Sequence, residues 1–255
     1  MSASLPPTLA QQSLTVLVPV FNEEESLRQF VVEMDKFLAL TPVATTVLFV
    51  NDGSTDNSLA ILRAICQANP RYEFISLRQN RGLSTAIKAG IDHARTTLIG
   101  YIDSDIQTTP LDFLEFLPYF PEYDMVNGIR AKRQDTFVKK MSSLIANTVR
   151  RTLINDGIQD TGCPLKIIKT EVARRLPLFH GMHRFLGALV QLQGGKVKQL
   201  PVRHFPRFAG TAKYTLWNRA WKPLIDTFGF RWIRSRWKNY EIGEQQRASV
   251  AEAVR

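Results

Sequence analysis

Cysteine is scarce. Cys66 and Cys163 are the two in 255 residues, too few for a disulfide framework or a four-ligand zinc site. Free thiols in a reducing compartment are the expectation. Long apolar runs are missing as well. Leu14–Phe21 is among the longest and has the length of a strand, far short of the roughly 18 residues of a membrane-spanning helix. The N-terminus lacks the charged and apolar regions of a secretory signal. The chain is therefore expected neither to span a membrane by itself nor to be secreted, and it remains free to lie on one. No Gly-x-x-x-x-Gly-Lys-Ser/Thr loop and no Gly-x-Gly-x-x-Gly loop occurs, so the two commonest phosphate-binding signatures are excluded.

Acidic residues are outnumbered, 23 against 33 Lys and Arg, for a net charge of +10. The excess is local. Gly128–Arg151 holds seven Lys/Arg against one Asp, and Arg203–Lys238 nine against one, which leaves a mildly acidic body. That distribution suits a polyanionic ligand or an anionic surface. With 44% hydrophobic and 22% charged residues, the composition excludes a largely disordered chain.

Apolar and β-branched runs predict strands at Leu14–Val20, Thr46–Val50, Phe74–Leu77 and Leu98–Ile102. Helical spacing predicts helices over Glu23–Leu40, Asp56–Gln67 and Thr85–Arg95. Strand–helix alternation at this spacing implies βαβ units and a parallel sheet flanked by helices. Past Pro110 the pattern loosens. Met125–Gly128, Lys166–Ile168 and Lys196–Val202 read as further strands and Phe137–Leu153 as a basic helix.

Ligands of open parallel sheets bind beyond the carboxyl ends of the strands. Three polar clusters fall at those ends: Phe21-Asn22-Glu23-Glu24, Asn51-Asp52-Gly53-Ser54-Thr55-Asp56 and Asp103-Ser104-Asp105-Ile106-Gln107. Three such clusters point to one composite site. Asp103 and Asp105 aim two hard carboxylates at one point, which suits Mg²⁺ or Mn²⁺, and Gln107 adds a carbonyl oxygen. A solvated acidic turn capped by Thr108 or Thr109 is the plainer reading. Asp52 can accept from a nucleobase, or it can close a turn in which Gly53 supplies the unusual backbone angle. Asp56 reads as an N-cap. Asn80-Arg81-Gly82 precedes a helix, where free N–H groups favour phosphate; an ordinary capped turn reads the same way.

These clusters, with Val18-Pro19-Val20, Asn127-Gly128-Ile129-Arg130, Asp160-Thr161-Gly162-Cys163 and Gly210-Thr211-Ala212-Lys213-Tyr214, resemble the family 2 glycosyltransferases of GT-A fold. Within them the chain resembles the polyprenyl-phosphate glycosyltransferases, the branch that contains dolichol-phosphate mannose synthases. The resemblance covers about Leu14 to Tyr214. It implies that Pro19, Phe21, Glu23, Asp52, Gly82 and Ser104 line the nucleotide-sugar pocket. It implies that Asp103, Asp105 and Gln107 hold Mg²⁺ or Mn²⁺ and the diphosphate. Arg130, Arg207 and Lys213 would hold the phosphates of donor and acceptor, with Lys139 near a further arginine of relatives. Ala212 departs from the serine that relatives carry before Lys-Tyr. Relatives often continue into membrane helices where this sequence ends, which leaves the mode of membrane attachment open.

A polyprenyl phosphate is already anionic near neutral pH, its second ionisation lying near pH ~6, so the implied reaction needs cations more than a general base. The implied activity is inverting transfer of a sugar from a UDP-sugar or GDP-mannose to an undecaprenyl- or dolichyl-type phosphate. It would take place at the cytoplasmic membrane face, for cell-surface glycan synthesis. A sugar-hydroxyl acceptor is the alternative. It needs a base, for which Asp160 is the best candidate. A basic nucleic-acid-binding or scaffold protein is the alternative of another class, and no nucleic-acid partner is expected. His93, His183 and His204 are not needed for the chemistry.

All four tryptophans, Trp217, Trp221, Trp232 and Trp237, lie near the C-terminus. Trp217, Trp221, Leu224, Ile225, Phe228 and Trp232 fall near one helical stripe, with Pro223 expected to begin or kink the helix. Interleaved Lys and Arg predict an interfacial helix on an anionic membrane; packing on the domain is the plainer reading. The expected organisation is a flexible tail over 1–13, a catalytic domain over 14–214, an amphipathic segment over 215–240 and a flexible tail over 241–255. A second copy or an integral-membrane partner is a further candidate means of attachment.

Overall fold

The structure, a computed structural model, describes residues 11–120, 122–130, 152–206, 216–239 and 243–244, and the backbone alone over 216–224. Successive strand residues face opposite sides of a sheet, so an unbroken apolar run marks a strand covered on both faces. β1 (Ser13–Val20) is such a run: Val16, Val18 and Val20 join one hydrophobic cluster and Leu17 the other. Six further strands complete the sheet: β2 (Ala44–Asn51), β3 (Tyr72–Ser76), β4 (Leu98–Tyr101), β5 (Met125–Arg130), β6 (Lys166–Lys169) and β7 (Val197–Val202). Their order is β3-β2-β1-β4-β6-β5-β7. All pairs are parallel except those of β6, which runs antiparallel to both β4 and β5. The expected mostly parallel sheet with helices on both faces is thus observed.

One face carries α1 (Leu27–Leu40), α2 (Ser58–Ala68) and the short α4 (Phe113–Phe116), with Phe30, Phe37, Phe113 and Phe116 buried against Phe49 and the β1 valines. The other face carries α3 (Leu83–His93), α5 (Thr170–Arg174) and α6 (Leu186–Leu192). A last helix, α7 (Leu216–Arg236), joins this face through Phe230, whose ring stacks on Phe185 at 4.8 Å between centroids. Arg184 Nη1 donates to Asp226 Oδ2 at 2.9 Å, a second tie. α5 and α6 are too short to show a helical period and were not legible in the sequence.

α7 runs through Pro223 rather than beginning there. Of the expected stripe, Ile225, Phe228 and Trp232 are 60%, 53% and 61% exposed, while Thr227 and Phe230 are buried on the domain. Packing on the domain, the plainer reading of this segment, is seen at Thr227 and Phe230, while Ile225, Phe228 and Trp232 stay exposed on the same helix. The Arg236 guanidinium sits 4.8 Å from the Trp232 ring centroid. No helix among the described residues is long and apolar enough to cross a membrane. The Phe137–Leu153 helix lies outside the described residues but for a helical turn at 152–154.

β1, β2 and β3 step outward in one direction, and β4 returns to the other side of β1. The switch point between β1 and β4 is where ligands of open α/β sheets bind. Pairing between them ends at Leu17↔Tyr101, so β1 overshoots β4 and a crevice opens there. Pro19 lies just past that last pair, where its missing N–H breaks no bond to β4.

Candidate active site

The loops after β1 and β2 are stitched into one unit. Asn22 takes a left-handed φ of 53°, tolerable for asparagine, and its Oδ1 accepts from Thr55 N at 2.8 Å. Asn22 N donates to Ser54 Oγ at 3.0 Å and Glu23 N to Ser58 Oγ at 2.9 Å. Glu24 Oε2 accepts from Asn57 N at 2.9 Å. Asp56 accepts from Ser58 N at 3.0 Å and from Glu24 N at 3.2 Å, so its expected capping role extends to the neighbouring loop. These bonds explain why α1 starts at Leu27 rather than at Glu23: the backbone N–H groups of Asn22, Glu23 and Glu24 are committed to the crossing, and Ser26 N turns back to Glu23 O. Phe21 and Glu23 remain half-buried at this rim.

Asp52 is buried, and its carboxylate is filled from within the chain. Arg81 N donates to Oδ1 at 2.7 Å, and Gly82 N and Asn80 Nδ2 donate to Oδ2 at 2.8 and 3.0 Å. This is the turn-closing reading of Asp52 and the capped-turn reading of the Asn80–Gly82 loop. Asp52 anchors the Asn80–Gly82 loop, and a base would have to share its carboxylate. The Gly82 N–H, expected to face a phosphate, faces Asp52. Gly53, at φ +66°, lies so close to this loop that a Cβ would stand 2.5 Å from Asn80 N.

The acid pair after β4 is built differently. Asp103 Oδ1 accepts from the Tyr101 hydroxyl at 2.7 Å. Burial, and then the neighbouring Asp105 charge, push the Asp103 carboxyl up to about 6. Asp105 Oδ1 accepts from Gln107 N at 3.2 Å across Ile106, which sits at φ 59°. The Gln107 carbonyl accepts from His204 Nδ1 and Phe205 N, both at 2.9 Å, so the segment after β7 braces this loop. Ser104 is buried beneath it. Among the described residues no group of three or more His, Cys, Asp and Glu is arranged to hold a metal. Two crowded carboxylates still fit a hard divalent cation that completes its shell with substrate phosphates and water. Their mutual repulsion, visible at Asp103, is what such a cation relieves.

Within electrostatic reach of Asp103, the Arg130 guanidinium is gripped by Asp160: Nε to Oδ2 at 2.8 Å and Nη2 to Oδ1 at 2.9 Å. Three of the five guanidinium donors are left over. The charges of Arg130 and of buried Lys166 both bear on Asp103. Lys166 was not anticipated. Its signal was a single lysine inside the apolar run Cys163–Ile168. His183 Nδ1 meets Ser84 Oγ at 3.0 Å, and burial drives its pKa down to about 3, so it is a neutral packing group. His93 is exposed in the last turn of α3. Lys139, Arg207 and Lys213 lie outside the described residues, as do the side chains of Trp217 and Trp221.

Solved structures resemble this one across most of its length. Glucosyl-3-phosphoglycerate synthase from Mycobacterium tuberculosis, in complex with Mn²⁺, UDP and glucosyl-3-phosphoglycerate, superimposes with a TM-score of 0.68 at 17% identity, over 86% of this chain and 80% of that one. A mannosyltransferase from Pyrobaculum calidifontis with GDP-Man and Mn²⁺ gives 0.64 at 16%, over 89% and 66%. The fold is therefore GT-A. The glycosyl transferase family 2 pattern matches residues 15–176, and the chain belongs to that family. The dodecaprenyl-phosphate galacturonate synthase of Rhizobium johnstonii is 31% identical over 219 residues, 84% of this chain and 64% of the relative. The undecaprenyl-phosphate 4-deoxy-4-formamido-L-arabinose transferase of Sodalis glossinidius is 28% identical over 205 residues, 80% and 63%. The chain thus spans just under two thirds of the length of these two relatives.

Proposed function

We propose that this chain is an inverting, metal-dependent glycosyltransferase that moves a sugar from a nucleoside diphosphate donor to a polyprenyl phosphate. The observation that carries the reading is the acid pair at the switch point, with the charge of the Arg130 fork acting on Asp103. The names of the two curated relatives support the acceptor. Asp103, Asp105 and Gln107 would hold Mg²⁺ or Mn²⁺, which when bound neutralises charge on the departing diphosphate. An acceptor phosphate oxygen forms the bond to the anomeric carbon. The bond to the nucleoside diphosphate breaks, the electron pair leaves with it, and configuration inverts. Arg130 contributes a planar fork for phosphate oxygens, and Arg207, Lys213 and Lys139 complete the cationic set in this reading. Pro19, Phe21, Glu23, Asp52, Gly82 and Ser104 line the donor side in this reading.

Asp160 bears on the acceptor. As the best base for a sugar-hydroxyl acceptor, it would have to release Arg130 in order to work. That counts against the hydroxyl reading and for an acceptor that arrives ionised.

In the same reading 14–214 is the catalytic unit and 215–240 a segment lying on the anionic cytoplasmic face of a membrane. The exposed Ile225, Phe228 and Trp232 would enter the headgroup region beside Arg236 and Lys238. Purified protein with Mg²⁺ or Mn²⁺, a short polyprenyl phosphate and labelled UDP- and GDP-sugars should move label into the organic phase, and Asp105→Ala should not. Metal-dependent donor hydrolysis with no lipid product would discard the acceptor and keep the transferase. Phe228→Ser with Trp232→Ser should abolish cosedimentation with phosphatidylglycerol vesicles and spare transfer to a detergent-solubilised acceptor.

A further inference from the structure

Lys166 opens β6 with its side chain fully buried, yet no carboxylate among the described residues lies within ion-pair distance. Its Nζ donates to two neutral acceptors, Asn127 Oδ1 at 2.6 Å and the Cys163 carbonyl. Burying an ammonium without a contact ion pair costs several kcal/mol in general, so the placement needs a physical reason. The sheet supplies one. β6 is inserted between β4 and β5, and Lys166 registers with Tyr101 on one side and Asn127 on the other.

Each neighbour leads to a different part of the site. Tyr101 donates to Asp103 Oδ1 at 2.7 Å. Asn127 Nδ2 donates to the Asp160 carbonyl at 3.2 Å and to Gly128 O at 2.9 Å. The Asp160 carboxylate accepts from Arg130 twice through its side chain, and from Arg130 N at 3.2 Å. Lys166 is thus the shared floor of the metal-side carboxylates and the phosphate-side guanidinium. Burial pushes the Lys166 ammonium below its usual range, and the Asp160 and Asp103 charges act to hold its proton in place. A cation at that depth favours ionised carboxylates on both sides of it and fixes the amide that carries Asp160. It reaches the substrates through these groups, with no side chain exposed to them.

Resting on the function proposed above, we infer that Lys166 is a positioning residue: through Asn127 and Asp160 it sets the Arg130 fork for the donor diphosphate, and beneath the acid pair it supplies counter-charge that limits how tightly a bare cation binds. The two halves predict opposite effects of removing the charge, which a merely structural role would not produce. The test is binding of Mn²⁺, alone and with UDP or GDP, followed by electron paramagnetic resonance, with the melting temperature of each variant as a control.

Lys166→Met should bind bare Mn²⁺ several-fold more tightly and the Mn²⁺–nucleoside diphosphate pair about tenfold more weakly, the scale seen for groups that orient metal ligands. Lys166→Arg should recover nucleotide binding. Asn127→Ala, which leaves the ammonium in place, should weaken nucleotide binding without tightening bare Mn²⁺, and it decides the relay should Lys166→Met not fold. Unchanged affinities for both probes in a folded Lys166→Met, or unchanged nucleotide binding in Asn127→Ala, would overturn the inference. A wild-type chain that binds no Mn²⁺ with either nucleotide would instead overturn the proposed function.

Discussion

Two aspartates stand at equivalent places, Asp52 after β2 and Asp103 after β4, and they have opposite surroundings. Asp52 receives two backbone N–H groups and an asparagine amide from the loop it anchors. Asp103 receives one tyrosine hydroxyl and faces a second carboxylate; burial, and then the Asp105 charge, raise its pKa in spite of the Tyr101 bond. A carboxylate whose hydrogen-bond demand is met internally stabilises the fold; in the function proposed above, the crowded one takes up an external cation. What differs between them is the number of donors that the chain brings to each carboxylate.

That contrast can be broken most sharply at Asp105. Asp105→Ala should cost transfer about 10³-fold, since loss of metal-held charge stabilisation is worth several kcal/mol. The melting temperature without metal should stay level or rise, because a like charge beside Asp103 has gone. A large drop in melting temperature would place the pair in the scaffold. At the other strand end the largest effect belongs to Gly53. Gly53→Ala forces a left-handed residue against the Gln79–Asn80 backbone and should cost about 3 kcal/mol in denaturant unfolding. Asp52→Asn, which sets an N–H₂ against N–H donors, should cost about 2 kcal/mol and leave bare Mn²⁺ binding unchanged.

The smallest effect sharpens the scaffold side. His183 is held neutral, its pKa near 3 against 6.5 for a free histidine. As pH falls below about 6.5 the unfolded chain takes up a proton that the native state refuses, so stability declines on acidification. His183→Asn, which keeps an acceptor or donor for Ser84, should remove about 1 kcal/mol of that decline between pH 6 and 5. The denaturation midpoint at the two pH values reads it directly.

The N-terminal half was legible because its signals are local. The unbroken apolar runs of β1 and β2, and the period of α1, state strand and helix within a few residues. Boundaries moved where loops bond to each other: the Glu23 helix start failed because Ser54 and Ser58 hold that backbone from 32 and 35 positions away. Past Pro110 the helices α4, α5 and α6 are one or two turns long, too short for a period, and they form because they cover the sheet. The acid pair was readable as Asp-x-Asp after an apolar strand. That Asp160 grips Arg130 was not, because the partners are 30 residues apart and each alone suited another role.

Alternating strands and helices, the polar clusters at strand ends and the basic segments were determined by composition and spacing, since burial on two faces and charge repulsion act on residue type. The antiparallel insertion of β6, which lays Lys166 between Tyr101 and Asn127, was decided only by the tertiary structure, as was the division of α7 into a packed face and an exposed one. So was the difference between Asp52 and Asp103, because hydrogen-bond satisfaction of a buried charge depends on which distant backbone the fold brings to it.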